Sequence, residues 1–433
     1  MRKRRHGAGR SSAWPGLMLA PLAAAAAISL LSGCGSGLRD NDDARADVDA
    51  ITHASCASTV LQALGGVATR VYGEGISSER TGSALHIIES STALRAAVER
   101  DDAAQAGAAA RALIATGHLT NLRVVRNGRR LIDVGGRAVA PLKGTLKDAS
   151  GKPIASFQTS VWAAGGLVAE VNGIAEGQAV LRTSGAVPSA DHDLAGAIAL
   201  PPGELPAQGT LTRGGVVYQF TSLPVSGFPS GDAQRLYVLR TIASTAPLCG
   251  SSDEDTTVNT LSHIARLIYD GEAGKRTLKQ IRRVQANAAL LQAVAQHDAT
   301  ATRKAIEALL HQHIVRLRVS AGGHLLSDVG GPYVLAPVTA PLRRGGHTIG
   351  SFTMSIQDDE GYKRLANRLA GLDVLMYMNG KLVKSTLGAS PGAIPTTGSV
   401  HYAGKSFRAY TFIAEAFPSG PLRITVLIPL PYS

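Results

Sequence analysis

Apolar residues recur at helical spacing in two places along the 433-residue chain. Leu278, Ile281, Val284, Ala288, Leu291 and Ala295 advance by three or four, and Asp298 ahead of ATATRKAIEALL predicts a further, capped helical stretch. Leu94, Ala97 and Val98, then Asp101-Asp102 and an alanine-rich run, repeat the arrangement earlier. Each half of the chain is therefore expected to begin with a long helix. Farther on the period falls to two. Thr348, Gly350, Phe352, Met354 and Ile356 take one face of a strand, and Ser351, Thr353, Ser355 and Gln357 take the other, as in a half-buried antiparallel sheet. Asn127-Gly128 and Asn379-Gly380 are hairpin dipeptides. Gly214-Gly215, Gly322-Gly323, Gly345-Gly346 and Ala403-Gly404 also sit between apolar runs. A short helix over residues 358–369 interrupts the strands. The predicted class is α+β with antiparallel sheet, and the pattern leaves open one sheet per half or two separated by the short helix.

The two patterns are copies. A shift of about 195 residues puts His118 on His313, Leu122 on Leu317, Arg123 on Arg318, Gly128 on Gly323 and Asp133 on Asp328. Gly135-Gly136 then meets Gly330-Gly331, Ser156-Phe157 meets Ser351-Phe352, and Ser160 meets Ser355. FPSG stands at both 228–231 and 417–420, and VYGE at 71–74 faces IYDGE at 268–272. Two copies are too few for a solenoid, so the expectation is a tandem pair, residues 55–250 and 260–433. SSDEDTTVN, residues 251–259, reads as a polar linker, and residues 34–54 as a flexible tether. In both DVGG stretches the glycines permit unusual backbone and the aspartate is expected to accept bonds from turn amides.

Composition adds compartment and excludes some functions. Hydrophobic residues are 45% and charged residues 18%, a globular balance. Aromatic residues are only 4%, which argues against long stacking platforms for single-stranded nucleic acid. Five basic residues precede an apolar run that ends in Leu31-Ser32-Gly33-Cys34. This stretch resembles the lipobox of bacterial lipoproteins, which implies a signal peptide over residues 1–33 and diacylglyceryl attachment at Cys34. The Arg4-Arg5 pair lacks the usual twin-arginine surroundings. Removing residues 1–33 takes away five of the 44 basic residues and no acidic one, so the net charge falls from +12 to +7. That modest excess does not make a nucleic-acid footprint. With Cys34 lipidated, Cys56 and Cys249 have only each other, in a compartment where disulfides persist.

LRVSAGGHLLSD, YVLAPVTAPLRRGGHTIGSFTMSI and the closing LRITVLIP, carried behind a helix, resemble the extracytoplasmic Cache or PDC sensor domains. The resemblance implies two PAS-like modules, each a long amino-terminal helix packed on an antiparallel sheet, which bind small solutes outside the cell. It covers nearly all of the mature chain. The tyrosine, arginine and aspartate pattern of the amino-acid-binding members is not matched, and no cytoplasmic output domain follows.

Candidate chemistry concentrates in the second copy. Gln357-Asp358-Asp359-Glu360-Gly361-Tyr362 stands where the first copy has Trp162-Ala163-Ala164-Gly165, and Tyr333, Tyr377, Tyr402, Phe407 and Tyr410 add rings. Candidate ligand-binding residues are Arg318, Asp328, Tyr333, Ser355, Gln357, Asp358, Tyr362 and Tyr377, suited to a small polar or cationic solute. Asp358 and Asp359 have an alternative use as caps of the short helix. His311, His313 and His324 with Asp328 do not share a face that would hold a metal. GASPG at 388–392 fits G-x-S-x-G, but Pro391 has no N–H for an oxyanion hole. The expectation is a lipid-anchored, extracytoplasmic solute-binding protein with no cofactor, acting through a separate membrane partner and not through nucleic acid. The alternative is an envelope interaction protein with degenerate pockets; an enzyme ranks third.

Overall fold

The computed structural model describes residues 40–117, 119–183, 194–195, 198–229, 233–271, 274–310, 313–388, 392–417 and 420–432, with side chains from residue 55 onward, Leu194, Ala195 and Lys275 apart. Cys34, His118, His311 and Ser390 lie outside these residues. The chain forms two units, Met1–Val48 and Asp49–Ser433. The first is described only as helical backbone from Asp40.

In the first half, α1 (Asp40–Gly73) leads to α2 (Glu79–Ser90), α3 (Thr92–Glu99) and α4 (Ala103–Thr116). Strands β1 (Asn121–Arg126), β2 (Arg129–Gly135), β3 (Ala138–Val139), β4 (Leu142–Lys147), β5 (Pro153–Ser160) and β6 (Trp162–Ala163) follow, then α5 (Ala164–Ala175). Beyond it come β7 (Gln178–Thr183), β8 (Leu194–Ala195), β9 (Gln208–Arg213), β10 (Val216–Ser226) and β11 (Ala233–Thr241), closed by α6 (Ile242–Thr245). Before α5, four strands make a sheet in the order β2-β1-β5-β4 and β3 pairs with β6 apart from it; the strands after α5 make another, β8-β7-β11-β10-β9.

The second half repeats this order. It runs α7 (Asp253–Asp270), α8 (Lys275–Gln285), α9 (Ala288–Ala295) and α10 (Ala299–Leu310), then β12 (Arg316–Ala321), β13 (His324–Gly330), β14 (Val334–Leu335), β15 (Val338–Arg344), β16 (His347–Ser355) and β17 (Gln357–Asp358). After α11 (Asp359–Ala370) come β18 (Asp373–Met378), β19 (Lys381–Ser385), β20 (Thr397–Tyr402), β21 (Lys405–Phe417) and β22 (Gly420–Leu430). The first sheet is β13-β12-β16-β15 and the second is seven-stranded, β17-β14-β21-β22-β18-β19 with β20 on β21. Strand β14 therefore belongs to the second sheet although it lies in sequence between two strands of the first. The helix after each first sheet starts 195 residues apart, at Ala164 and Asp359.

The number of sheets, left open by the pattern, is three in the first half, counting the two-stranded β3-β6, and two in the second. The long helix of each half lies earlier than the periodicity suggested, in α1 and α7, because the stretch from Leu278 to Ala295 is broken. Asn287 accepts the Leu290 N–H at 2.8 Å and starts a new helix. Asp102 and Asp298 cap α4 and α10 in the expected way. Residues 251–259 hold the Ser252 cap and the acidic first turns of α7, where carboxylates favour the helix dipole. The hairpin dipeptides all adopt positive φ at both positions, from Asn127 at 49° to Gly346 at 84°.

Helices α3 and α4 close a local core over the first sheet around Leu94, Leu122 and Phe157, and α9 and α10 do the same around Ile306, Leu317 and Phe352. A third core is shared by both halves: Leu64 and Val67 of α1, Leu167 of α5, Leu261 and Ile264 of α7, Tyr362 of α11 and Ile424 of β22 are all buried in it. Cys56 and Cys249 are disulfide-bonded at its edge, as the sequence predicts, across 193 residues.

The DVGG repeat has a local reason. A Cβ on Gly135 or Gly330 would lie 2.4 Å from the carbonyl oxygen of Thr120 or Val315, at φ of +120° and +136°, whereas one on Gly136 or Gly331 would meet nothing within 4 Å. Only the first glycine of each pair is demanded by the backbone. Gly330→Ala should therefore cost more than about 2 kcal/mol in chemical denaturation and Gly331→Ala less than about 1 kcal/mol. Replacing Cys56 and Cys249 together by serine should cost roughly 2–5 kcal/mol in the same measurement.

Candidate functional site

Asp133 and Asp328 lie directly across their hairpins from Arg123 and Arg318. Arg123 donates to Asp133 at 3.0 and 2.6 Å. Arg318 donates to Asp328 at 3.0 and 2.8 Å, and Arg316 adds bonds of 2.8 and 2.9 Å to its two oxygens. The donors are arginine side chains, where the sequence suggested turn amides. Burial raises the Asp328 pKa, but the hydrogen bonds and charges of Arg316 and Arg318 outweigh it and hold the carboxyl below its ordinary range. The ring of Phe417 stacks 4.7 Å from the Arg318 guanidinium and 5.4 Å from that of Arg316, and Phe228 lies 5.9 Å from Arg123. The repeated FPSG thus supplies a ring from the second sheet to an ion pair on the first.

The remaining candidates separate into three places. Tyr362 is wholly buried in the shared core, its hydroxyl donating to the Ala265 carbonyl at 2.9 Å, and burial pushes its pKa up. Tyr377 sits on the far face of the second sheet with Phe407 and Val400, under the Arg423 guanidinium at 4.3 Å. Tyr333 is partly buried against the shared core. Ser355 donates to the carbonyls of Leu335 and Gln357 and accepts the Gln357 N–H, and Ser160 treats Val139 and Trp162 in the same way. That serine is a strand-to-helix fastening common to both halves. Asp358 accepts the Gly361 N–H at 2.6 Å and caps α11, the alternative weighed for it.

Gln357 and Asp358 nevertheless border an open cleft of about 640 Å³. The entry of α11 forms one wall, continued by Arg364 and Arg368. Arg276, Lys279 and Gln280 of α8 form the other, and His313 and Val315 lie beneath. A second cavity of about 690 Å³ shares Arg276, Arg364 and Arg368 and extends to Glu74, Glu79 and Arg80 of the first half. No tyrosine lines either one, so the aromatic setting expected for a cation is not here. The basic residues were missed because they lie on two helices 85–92 residues apart in the chain. The legible signal was a spacing of three or four within each helix, Arg276 to Lys279 and Arg364 to Arg368.

The first half differs at the corresponding strand position. Trp162 occupies the strand position of Gln357, and a Cβ on Gly75 would come within 2.2 Å of its ring. Arg80 stacks over that ring at 5.8 Å. Among the described residues no group of three or more His, Cys, Asp or Glu could hold a metal ion. No helix among them is long and apolar enough to cross a membrane.

No protein-family model and no curated protein matches the sequence. Among solved structures, the chain is similar to the periplasmic domain of Vibrio cholerae LuxQ at 16% identity and a TM-score of 0.28, covering 39% of this chain and 98% of that one. The ligand-binding domain of the Pseudomonas aeruginosa PAO1 amino acid chemoreceptor PctB, in complex with L-Arg, matches at 12% identity and 0.21, over 39% and 95%. That of the Pseudomonas fluorescens chemoreceptor CtaA, in complex with L-isoleucine, matches at 14% and 0.20, over 42% and 97%.

The unequal burial of the two aspartates sets an expectation. The Asp328 side chain is 13% exposed and paired with two arginines, whereas Asp133 is 32% exposed. Asp328→Ala should cost about 3 kcal/mol and Asp133→Ala about 1 kcal/mol in urea denaturation at neutral pH. Because the folded pKa of Asp328 is depressed, its contribution is complete above about pH 4 and is lost as pH falls through the lower folded value. The gap between Asp328→Asn and the parent should therefore narrow in acid.

Proposed function

We propose that the chain is an extracytoplasmic solute-binding protein, held to the membrane by lipid at Cys34 and composed of two Cache-like halves, residues 55–250 and 260–433. The observation that carries the reading is the open cleft of about 640 Å³ at the entry of α11, in the second half. Its size is that of a small-molecule site, and it pairs polar side chains with the apolar Val315, Ile356 and Leu365. Gln357 and Asp358 are the candidate residues that border it. The other six serve the ion-pair clamp, the strand-to-helix fastening or the cores.

The first half then acts as scaffold, with Trp162 at the strand position that Gln357 holds in the second. The Cys56–Cys249 disulfide suits an oxidising compartment, and the leader pattern before Cys34 suits export. Among the described residues no nucleophile with a base beside it borders the cleft, so binding fits its chemistry better than catalysis. A bound solute would act by favouring one of two arrangements of the halves, read by a separate membrane partner.

Titration calorimetry of the full-length chain in mild detergent against amino acids, carboxylates and amines should give saturable heat with at least one class. Gln357→Trp, which puts the ring of the first half at the border of the cleft, should abolish it. Heat that survives this substitution would move the site elsewhere, and no heat with any class would favour the envelope interaction reading.

A further inference from the structure

The cleft has a sign. Arg276 and Lys279 of α8 and Arg364 of α11 reach it, and none of the three has an acidic partner among the described residues. Two of the acids nearby are engaged. Asp358 is turned to its helix cap, and Glu74 is joined to Arg368 at 2.8 Å. Glu79 lines only the adjoining cavity. Arg80, half withdrawn from water, is further disfavoured as a cation by the charge of Arg368. Arg276, Lys279 and Arg364 are all exposed, and like charges lining one concave surface favour an anion among them.

Resting on the binding role proposed above, we infer that the ligand of this cleft is a compact oxyanion of at least two negative charges, gripped between α8 and α11 by Arg276, Lys279 and Arg364. Two guanidinium forks match the planar oxygen pairs of carboxylates and phosphates, and the ammonium of Lys279 adds a charge without a fixed direction. Gln280 and Gln357 line the same space with amide groups suited to the uncharged part of such a solute. The second cavity shares Arg276 and Arg364, so a bound anion would also lie next to the Glu74–Arg368 contact between the halves. Charge neutralisation at this junction would then change how firmly the halves hold together.

Citrate and inorganic pyrophosphate are the probes, titrated into the full-length chain in detergent at low salt, with acetate and a neutral amino acid alongside. Citrate or pyrophosphate should bind, acetate at least tenfold more weakly, with affinity falling as salt rises. Arg276→Gln and Arg364→Gln should each weaken binding about tenfold or more. Arg343→Gln with Arg344→Gln, which removes two exposed charges from the β15–β16 hairpin, should leave it unchanged. Wild-type affinity in the Arg276→Gln/Arg364→Gln double variant, folded by circular dichroism, would overturn the site. Binding of the neutral amino acid but of neither polyanion would overturn the ligand class and leave the binding role intact. Silence toward every solute would take both away.

Discussion

The burial of one apolar core by two halves of the chain is the constraint on which the rest depends. Helices α1 and α7 each place an apolar stripe in it, and neither half closes it alone: Leu64 and Leu167 come from the first half, Leu261, Tyr362 and Ile424 from the second. Burying a side chain of this size contributes roughly 1.5–3 kcal/mol, so many such positions outweigh any polar contact at the junction. Polar contacts then fix the geometry. Thr59 bonds Asp253 at 2.8 Å, Glu176 meets His263 at 2.7 Å and Glu74 meets Arg368 at 2.8 Å, each joining one half to the other. The cleft lies within the second half between α8 and α11, and the adjoining cavity carries it to Glu74 and Arg80 of the first.

Much of the fold was legible because its signals are local. Hairpin dipeptides need only their own backbone angles, helix caps need a side chain three residues upstream, and a duplication shows in residue identity. The disulfide could be read from elimination among three cysteines. What escaped was long-range. Nothing local tells a strand such as β14 that its hydrogen-bond partners are β17 and β21, so the division into two sheets could not be read from periodicity. The apolar positions from Leu278 to Ala295 suited one helix as well as two, and Asn287 decided between them.

The site was less legible for a related reason. Duplicated polar residues drew attention, yet Asp328, Arg318 and Ser355 recur because both halves need the same ion pair and the same fastening. Features that differ between halves are the better guide to binding, as Trp162 against Gln357 illustrates: a large ring stands in one half where a shorter amide borders the cleft in the other. The cations around that opening come from helices far apart in sequence, and only tertiary packing turns two unremarkable basic helix faces into one concave surface.

The path of β14 has a mechanical consequence. The chain leaves the first sheet after β13, contributes two residues to the second, and returns to the first at β15. No single cut can therefore separate the two layers of the second half, and neither layer can be excised as a continuous piece. A tilt of one would strain the backbone ladder that β14 makes with Phe417 and Ala416, residues whose strand also carries the ring beneath Arg316 and Arg318. The two layers are stitched rather than merely stacked, so a displacement imposed on the upper one is delivered to the lower.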